Sequence, residues 1–257
     1  MTIPEAEAFS RAQASGAFDG MKPPKVEPAY VRKVELAEGV TLYQGDSFAL
    51  VPTFYRNEYD AVVSDPPYGI AHRRGKAGNR GKGLSLGASG IANDDKAFDP
   101  TFMMRWPSLL WGANHYAKLL PAGRWLAWDK VCNGGAGDFS EVEFAWCSHS
   151  GPSKVFRHMW MGVQRHSQVG EARQHPTEKP VALLDWCIGF FPTATRILDP
   201  FAGSGTTGVA AVKRGLGFTG IEIDAGHFET ACRRIDQALR EPRLFDPPKS
   251  PHQEPLL

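Results

Sequence analysis

The sequence contains few cysteines and no long apolar run. Its four cysteines, Cys132, Cys147, Cys187 and Cys232, stand far apart without a CxxC pair, so neither a zinc knuckle nor a disulfide framework is predicted. No uninterrupted apolar stretch approaches the roughly 18 residues that a membrane span requires. The first residues, MTIPEAEAFSRAQ, lack the pattern of a signal peptide. We therefore expect a protein of a reducing cytoplasm with no membrane segment.

The sequence also lacks a large excess of charge of either sign. Lys and Arg number 29 against 28 Asp and Glu, which gives a formal net charge of +1. This balance excludes a globally basic nucleic-acid binder, so any surface for a polyanion must be local. With 257 residues and 42% apolar composition, the chain is long enough to bury a sizeable core in one domain.

Two common phosphate-binding motifs are missing from the glycine-rich stretch RILDPFAGSGTTGVAA, residues 196–211. No lysine follows the glycines as in a P-loop, and their spacing does not match GxGxxG. The stretch still predicts a strand, a turn and a helix, in which Gly203 and Gly205 would let the backbone approach a ligand. The next strand, GFTGIEID, ends in Glu222 and Asp224, where an acid commonly holds ribose hydroxyls. A tight turn without a ligand is the alternative.

A second apolar run, in AVVSDPPYGI at residues 61–70, ends in an acid, two prolines and an aromatic residue. The prolines fix φ and remove backbone donors at the end of the predicted strand. Another Asp-Pro-Pro occurs in FDPPK, residues 245–249, without the preceding strand or the following aromatic, and we interpret it as tail. For Asp65 the alternative is an ordinary turn residue at a strand end.

Strand and helix patterns alternate between residues 29 and 241, which predicts a parallel sheet with helical crossovers. The predicted strands are VTLYQG, FALVPTFY, AVVSDP, GRWLAWDK, RILDPF and GFTGIEID, and the predicted helices are FMMRWPSLLWGANHYAKLL, PVALLDWCIGFF, GVAAVKRG and HFETACRRIDQALR. EFAWCSHS and KVFRHMWMG follow each other closely, which predicts an antiparallel pair at one end. Residues 1–28 and the proline-rich residues 242–257 are predicted to be a flexible arm and a tail.

Together the two motifs resemble the β-class of amino-directed DNA methyltransferases. DPPY is similar to the catalytic motif of that family and DPFAGSGTT to its loop for S-adenosylmethionine, while YQGDSFAL and HPTEKPVALL resemble two further cofactor segments. The four segments fall within residues 39–236 in the β-class order, with the catalytic motif ahead of the cofactor loop. The resemblance implies an α/β fold with a circularly permuted, doubly wound, mostly parallel seven-stranded sheet of Rossmann-like type. An antiparallel strand at one edge and a cofactor strand late in sequence but central in space are expected.

The resemblance also implies roles for individual residues. The catalytic motif would be Asp65, Pro66, Pro67 and Tyr68, with Asp65 and the Pro66 carbonyl accepting amino hydrogens and Tyr68 stacking on a flipped-out base. Asp46 would contact the cofactor adenine, Glu222 its ribose and Asp199 its methionine ammonium, and three residues of HPTEKPVALL would lie at its methionine end. The whole predicted cofactor set is Asp46, His175, Thr177, Lys179, Asp199, Phe201, Gly203, Ser204, Gly205, Thr206, Thr207, Glu222 and Asp224.

A basic, glycine-rich segment follows the catalytic motif. Residues 69–90 contain seven glycines and no acid, and we expect a loop over residues 69–95 to neutralise DNA phosphates; its cations are Arg73, Arg74, Lys76, Arg80 and Lys82. A merely solvated loop is the alternative. A target-recognition segment at about residues 129–174 is short for the family. Its candidate DNA contacts, or else solvated surface residues, are Arg157, Arg165, His166 and Arg173.

Within this family, Asp as the first residue of the catalytic motif is typical of the adenine-N6 branch. We therefore expect methyl transfer from S-adenosylmethionine to adenine N6 in DNA, in the cytoplasm of a bacterium or a phage-infected cell. Direct displacement needs no metal, and the histidines have no HExxH spacing. The resemblance also makes a homodimer an expectation. The alternatives are cytosine-N4 methylation on the same scaffold, RNA methylation, and a DNA-binding protein that has kept the fold without activity.

Overall fold

A nine-stranded mixed sheet lies at the centre of the computed structural model, which describes residues 30–68, 98–132, 140–161, 164–165 and 178–241. The strands are β1 (Tyr30–Ala37), β2 (Val40–Gly45), β3 (Ala61–Ser64), β4 (Ser108–Trp111), β5 (Arg124–Asp129), β6 (Val142–Cys147), β7 (Lys154–Arg157), β8 (Trp160–Met161), β9 (Gln164–Arg165), β10 (Arg196–Asp199) and β11 (Gly217–Glu222). The helices are α1 (Ser47–Leu50), α2 (Val181–Ile188), α3 (Thr206–Lys213) and α4 (Ala225–Arg240). Single 3₁₀ turns lie at Val51–Thr53, Arg56–Glu58, Pro100–Met103, Ala113–His115 and Ala117–Leu119.

The strand order in the large sheet is β1-β2-β11-β10-β3-β4-β6-β5-β7, with β8 and β9 paired separately. Strands β2, β11, β10, β3 and β4 are mutually parallel, and β5 and β7 point the same way, so seven strands share one direction. Strand β1 is antiparallel at one edge. The α/β fold class is confirmed, and β10 lies inside the sheet although it comes late in the chain. The two strands beyond the expected seven are β1 and β6, which run against the others.

Strands β3 and β10 form where the sequence has short, nearly continuous apolar runs. All four residues of AVVS are buried, as are the last three of RILD. Such runs are typical of parallel strands covered on both faces. The two strands are neighbours in parallel pairing, so their carboxyl ends lie at the same edge of the sheet.

Two hydrophobic clusters cover the two faces of the sheet. One packs helices α2, α3 and α4 against residues such as Val63 and Ile197. The other packs α1 and several 3₁₀ turns, with many aromatic side chains, against Val62 and Leu198. Alternate residues of one strand thus enter different clusters, as the two-residue period of a strand requires.

The predicted helix FMMRWPSLLWGANHYAKLL is wrong. It folds as a 3₁₀ turn, strand β4 and two further 3₁₀ turns. Pro107 cannot continue a helix, and Gly112 with φ of +65° ends the strand in the left-handed region. The four residues between them, SLLW, are completely buried and take a place in the sheet.

Two further local predictions are also wrong. FALVPTFY forms α1 and a 3₁₀ turn instead of a strand, because Asp46 caps the N-terminus of α1 and Pro52 is the second residue of the turn. EFAWCSHS and KVFRHMWMG do not pair with each other, since β5 lies between β6 and β7. Strand β7 is parallel to β5, whereas β6 is antiparallel to both of its neighbours.

Candidate active site

The predicted catalytic and cofactor motifs, DPPY and DPFAGSGTT, meet where β3 and β10 end. Ser64, the last residue of β3, donates its hydroxyl hydrogen to Asp199 Oδ1 at 2.6 Å, and the amide of Phe201 donates to the same oxygen at 3.0 Å. Burial raises the pKa of Asp199 to about 6, although hydrogen bonds from Ser64, Thr207 and Phe201 act in the other direction. Ser64 therefore ties the strand of one motif to the acid of the other.

Asp65 has a donor on each carboxylate oxygen. Tyr68 Oη donates to Oδ1 at 2.5 Å, and the ammonium of Lys179 donates to Oδ2. Lys179 Nζ also lies 3.4 Å from Tyr68 Oη and 3.3 Å from a carboxylate oxygen of Glu143. The sequence prediction put Lys179 at the methionine end of a cofactor, and in the structure its side chain contacts the carboxylate of the catalytic motif.

The Lys179 side chain is only 6% exposed. Burial by itself would lower the pKa of Lys179, but the carboxylates of Asp65 and Glu143 raise it well above its ordinary value. Burial and the nearby Asp65 charge raise the pKa of Tyr68. Lys179 therefore remains an ammonium and Tyr68 a neutral hydroxyl donor at neutral pH.

The ring of Tyr68 is held between β3 and the turn after β4. It stacks on His115, with ring centroids 5.1 Å apart and an interplanar angle of 16°. A Cβ at Gly112 would lie 1.9 Å from Tyr68 Cε1, so no other residue leaves room for the ring in this position. Neither Gly112 nor His115 was a site residue in the sequence analysis. A glycine directly after an apolar run was the available signal for Gly112.

The two glycines of the cofactor motif have different surroundings. Gly203 has φ of +52°, and a Cβ built there would have no neighbour within 4 Å among the residues that the structure describes. Gly205 has φ of +81°, and its Cβ would lie 2.9 Å from the Cα and Cβ atoms of Ala231 on α4. Gly205 is thus required for helix packing, whereas Gly203 lines open space.

Glu222, at the end of β11, connects two backbone segments at this edge. Gly203 N donates to its Oε2 and Asp224 N to its Oε1, both at 2.8 Å. Burial raises the pKa of Glu222, although these hydrogen bonds oppose the shift. Asp224 itself caps α4 by accepting from the amide of His227 at 2.9 Å. Of the two predicted acids, Glu222 therefore faces the glycine turn and Asp224 serves the helix.

An aromatic wall stands beside the cofactor motif. Phe201 packs against Phe98 and Phe102, with centroid distances of 5.6 and 6.3 Å, and against Phe48 at 6.0 Å. Asp46 positions Phe48, because its carboxylate accepts from the Phe48 amide at 3.0 Å. The partly exposed Phe48 leaves part of this wall open for a flat apolar group, such as an adenine ring. Sequence reasoning found Phe201 and Asp46 but missed the other three rings.

Arg234 of α4 also was missed. One of its nitrogens, Nη1, donates to the carbonyl and the hydroxyl of Ser204 at 2.8 Å and lies 3.2 Å from the hydroxyl of Thr206. Its Nη2 lies 2.8 Å from Glu178, the neighbour of Lys179. A basic residue on the apolar face of an amphipathic helix was the signal, since Arg234 follows the buried Ala231 by three positions. Arg234 thus joins the glycine turn to the segment that carries Lys179.

Several predicted residues lie outside the described residues: His175 and Thr177 of the cofactor set, the basic-loop residues Arg73, Arg74, Lys76, Arg80 and Lys82, and the recognition-segment residues His166 and Arg173. Arg157 is described, and its exposed side chain lies 3.8 Å from Asp129. Arg165 belongs to the short strand β9.

Residues 137–233 match the N6/N4 methyltransferase family model, which is described as DNA methylase. The match shows that this segment is similar to the DNA methylases. It confirms, for these residues, the resemblance to amino-directed DNA methyltransferases. The methylase segment contains β10, the glycine turn, Glu222 and Glu143 and ends just before Arg234.

Two curated relatives match about a third of the chain. DNA adenine methyltransferase YhdJ of Escherichia coli K12 is 40% identical over 86 residues, which are 33% of this chain and 29% of the relative. Type II methyltransferase M2.DpnII of Streptococcus pneumoniae is 37% identical over 84 residues, 32% of this chain and 31% of the relative. The matches therefore span less than a third of these relatives.

Among solved structures, the M1.HpyAVI–SAM complex is 22% identical, with a TM-score of 0.49, and the alignment covers 76% of this chain and 98% of that one.

Within the described ranges, no helix combines the length and apolar character of a membrane span. In the same residues, no group of three or more His, Cys, Asp or Glu side chains is arranged to hold a metal ion.

Proposed function

We propose that this protein is an S-adenosylmethionine-dependent DNA methyltransferase that acts on the exocyclic N6 amino group of adenine. The observation that carries the proposal is the joining of the two motifs at the ends of β3 and β10, through the 2.6 Å hydrogen bond from Ser64 to Asp199. The DNA methylase match over residues 137–233 supports it, as does the relative from E. coli that is named a DNA adenine methyltransferase.

The residues at this edge of the sheet fit the cofactor. The open space beside Gly203 gives a ligand close access to the backbone, and the adjacent carboxylate of Glu222 suits ribose hydroxyls. The buried carboxyl of Asp199 suits an ammonium, and the aromatic wall of Phe48 and Phe201 suits the adenine ring. When bound, S-adenosylmethionine would supply an electrophilic methyl group on its sulfonium.

The remaining chemistry concerns the nitrogen that is methylated. The lone pair of an exocyclic amino group is delocalised into the ring, so the nitrogen is a poor nucleophile. In the proposed mechanism, Asp65 and the Pro66 carbonyl accept the two amino hydrogens and draw the nitrogen toward tetrahedral geometry. Each carboxylate oxygen has two lone pairs, so Asp65 retains acceptor capacity beside its bonds from Tyr68 and Lys179. No covalent intermediate with the protein is needed, and the methylated nitrogen would lose one of its two hydrogens as a proton to solvent.

A base in duplex DNA must leave the helix before its amino group reaches Asp65. We assign Tyr68 as the stacking partner of the flipped base, because its ring is fixed against Gly112 and its hydroxyl is bonded to Asp65. Stacking offsets part of the unstacking cost of about a few kcal/mol. The cations of residues 69–95 are proposed to neutralise the phosphates beside the flipped nucleotide.

Cytosine-N4 methylation is the second candidate, because the matching family model covers both N6 and N4 methyltransferases. Asp65 favours adenine by resemblance. The proposal also includes a catalytic domain over residues 29–241, a homodimer and a cytoplasmic location. His175 and Thr177 keep their proposed roles at the methionine end of the cofactor, whereas Lys179 contacts Asp65 and Asp224 caps α4.

Modification-sensitive long-read sequencing of DNA from a methylation-free host tests the proposal. The host would express either this protein or its Asp65→Ala variant. We expect modified adenines at one short sequence with the wild-type protein and none with the variant. Modified cytosines would replace the adenine assignment by the second candidate. Unmodified DNA from cells that contain folded wild-type protein would contradict the proposed function.

A further inference from the structure

Four charged side chains of alternating sign form a row of ion pairs that ends at the catalytic motif; they are Lys130, Glu143, Lys179 and Asp65. Lys130 Nζ lies 2.9 Å from Glu143 Oε1, Glu143 Oε2 lies 3.3 Å from Lys179 Nζ, and Lys179 bonds Asp65. We propose that Glu143 is a positioning residue, which acts through Lys179 to hold the Asp65 carboxylate in place and available to the target amino group. The inference rests on the proposed function.

Burial makes this chain of ion pairs sensitive to the loss of any charge. The side chain of Lys179 is 6% exposed, that of Lys130 19% and that of Glu143 31%. Burial would raise the pKa of Glu143, but Lys179 and Lys130 lower it below its ordinary value, so Glu143 remains a carboxylate at neutral pH. An ammonium as buried as Lys179 stays charged only because anionic partners surround it.

Glu143 is well placed to fix the Lys179 ammonium. It lies on β6 directly opposite Trp128 of β5 in an antiparallel ladder, so its backbone position is determined by the sheet. The ammonium also lies 5.5 Å from the centre of the Trp111 ring, which limits its movement on another side. Two carboxylates thus divide the donors of one ammonium between them.

The position of the Asp65 carboxylate depends on the second ion pair of Lys179, the one with Glu143. Without the charge of Glu143, Lys179 would pair with Asp65 alone, and Lys130 would lose its ion pair with Glu143. The Asp65 carboxylate would then shift toward Lys179, and it would accept a weaker hydrogen bond from the amino group of the target nucleobase. Displacements of about 1 Å at a reacting centre are enough to lower a rate up to about 100-fold. The cofactor contacts around Gly203 and Glu222 would not change.

The test compares Glu143→Gln with the wild-type protein in single-turnover methylation of unmethylated DNA, with cofactor affinity measured by calorimetry. We expect the transfer rate to fall by about tenfold or more, while the Kd for S-adenosylmethionine stays within about twofold. Lys130→Met should have a smaller effect on the rate, because Glu143 then pairs with Lys179 alone. Glu241→Gln is the matched control, since Glu241 also lies 2.9 Å from a lysine, Lys213, on the helical surface.

A Glu143→Gln rate equal to that of Glu241→Gln would overturn the inference. If Glu143→Gln fails to bind cofactor or to fold, Glu143→Asp is tested instead. It keeps the negative charge, but its side chain is one methylene shorter, so the carboxylate lies farther from Lys179. A slow Glu143→Asp protein with normal cofactor affinity supports the inference, and a wild-type rate contradicts it. Absence of methylation by the wild-type protein would instead refute the proposed function, so the two failures are distinguishable.

Discussion

Alanine substitutions at the two glycines of the cofactor motif should separate ligand binding from folding. Both residues have positive φ, which costs an alanine about 1–2 kcal/mol. At Gly205 the new methyl group would also meet Ala231 at 2.9 Å, and overpacking of this kind costs about 1–3 kcal/mol more. Gly205→Ala should therefore lower the free energy of unfolding by about 2–5 kcal/mol, and Gly203→Ala by only about 1–2 kcal/mol.

Cofactor affinity should show the reverse order, with Gly203→Ala affected more than Gly205→Ala. The methyl group of Gly203→Ala would project into the open space that a ligand needs, at a cost comparable to overpacking. We expect the Kd for S-adenosylmethionine to rise by about tenfold or more, since about 1.4 kcal/mol corresponds to a factor of ten. Calorimetric titration measures the affinity, and urea unfolding measures the stability of the same proteins.

Gly39→Ala supplies the control for backbone strain alone. Gly39 has φ of +73°, and the nearest atom to a Cβ there is 3.9 Å away, so the substitution adds strain without a clash. It should lower stability about as much as Gly203→Ala and leave cofactor affinity unchanged. If Gly203→Ala binds S-adenosylmethionine as tightly as Gly39→Ala does, the space beside Gly203 is not the cofactor site and the reasoning fails.

Three further predictions concern the rest of the site. Gly112→Ala should slow methyl transfer by about tenfold or more with normal cofactor affinity, because its methyl group would displace the Tyr68 ring. Arg234→Met should weaken cofactor binding, measured by calorimetry, because the backbone of Ser204 loses a 2.8 Å charged hydrogen bond. Since burial raises the pKa of Asp199 to about 6, cofactor affinity should increase as the pH rises from about 5 to about 7. An ammonium favours the ionised carboxyl, so binding near pH 6 should release protons, which titrations in buffers of different ionisation enthalpy detect.

Each of these predictions has its own control. Gly39→Ala should transfer at the wild-type rate, and an equally fast Gly112→Ala would contradict the assigned position of Tyr68. Arg234→Lys keeps the charge but not the several directed bonds, so it should restore only part of the affinity. If Arg234→Met binds S-adenosylmethionine with wild-type affinity, Arg234 does not contribute to the cofactor site. Asp199→Asn should release no proton, and equal release by both proteins would assign the effect to another group.

Much of the sheet could be predicted from the sequence, because buried parallel strands are short apolar runs. AVVS and RILD have this form, and each is followed by a polar motif that a strand end brings to the site. Residues 102–120 have the same apolar content over a longer stretch, and apolar content alone does not separate a buried strand from a helix. Pro107 and Gly112 were the local evidence against a helix there.

The contacts between side chains could not be predicted in this way. Lys179 and Asp65 are 114 positions apart, and only the strand order brings the Lys179 side chain beside the catalytic motif. The same is true of Arg234 and Ser204, which meet because α4 packs on the glycine turn. Sequence reasoning therefore found the motif residues themselves but missed Gly112, Glu143 and Arg234, which hold them in position.

The most direct test of the central claim is methyl transfer by purified protein. Unmethylated DNA would be incubated with S-adenosylmethionine carrying a labelled methyl group, and the modified nucleoside would be identified by mass spectrometry. The account predicts labelled N6-methyladenine with the wild-type protein, and none with Asp65→Ala, while both proteins bind the cofactor with similar affinity. Equal label in DNA from the two proteins would contradict the assignment of Asp65. No label from a wild-type protein that binds the cofactor would contradict DNA as the substrate.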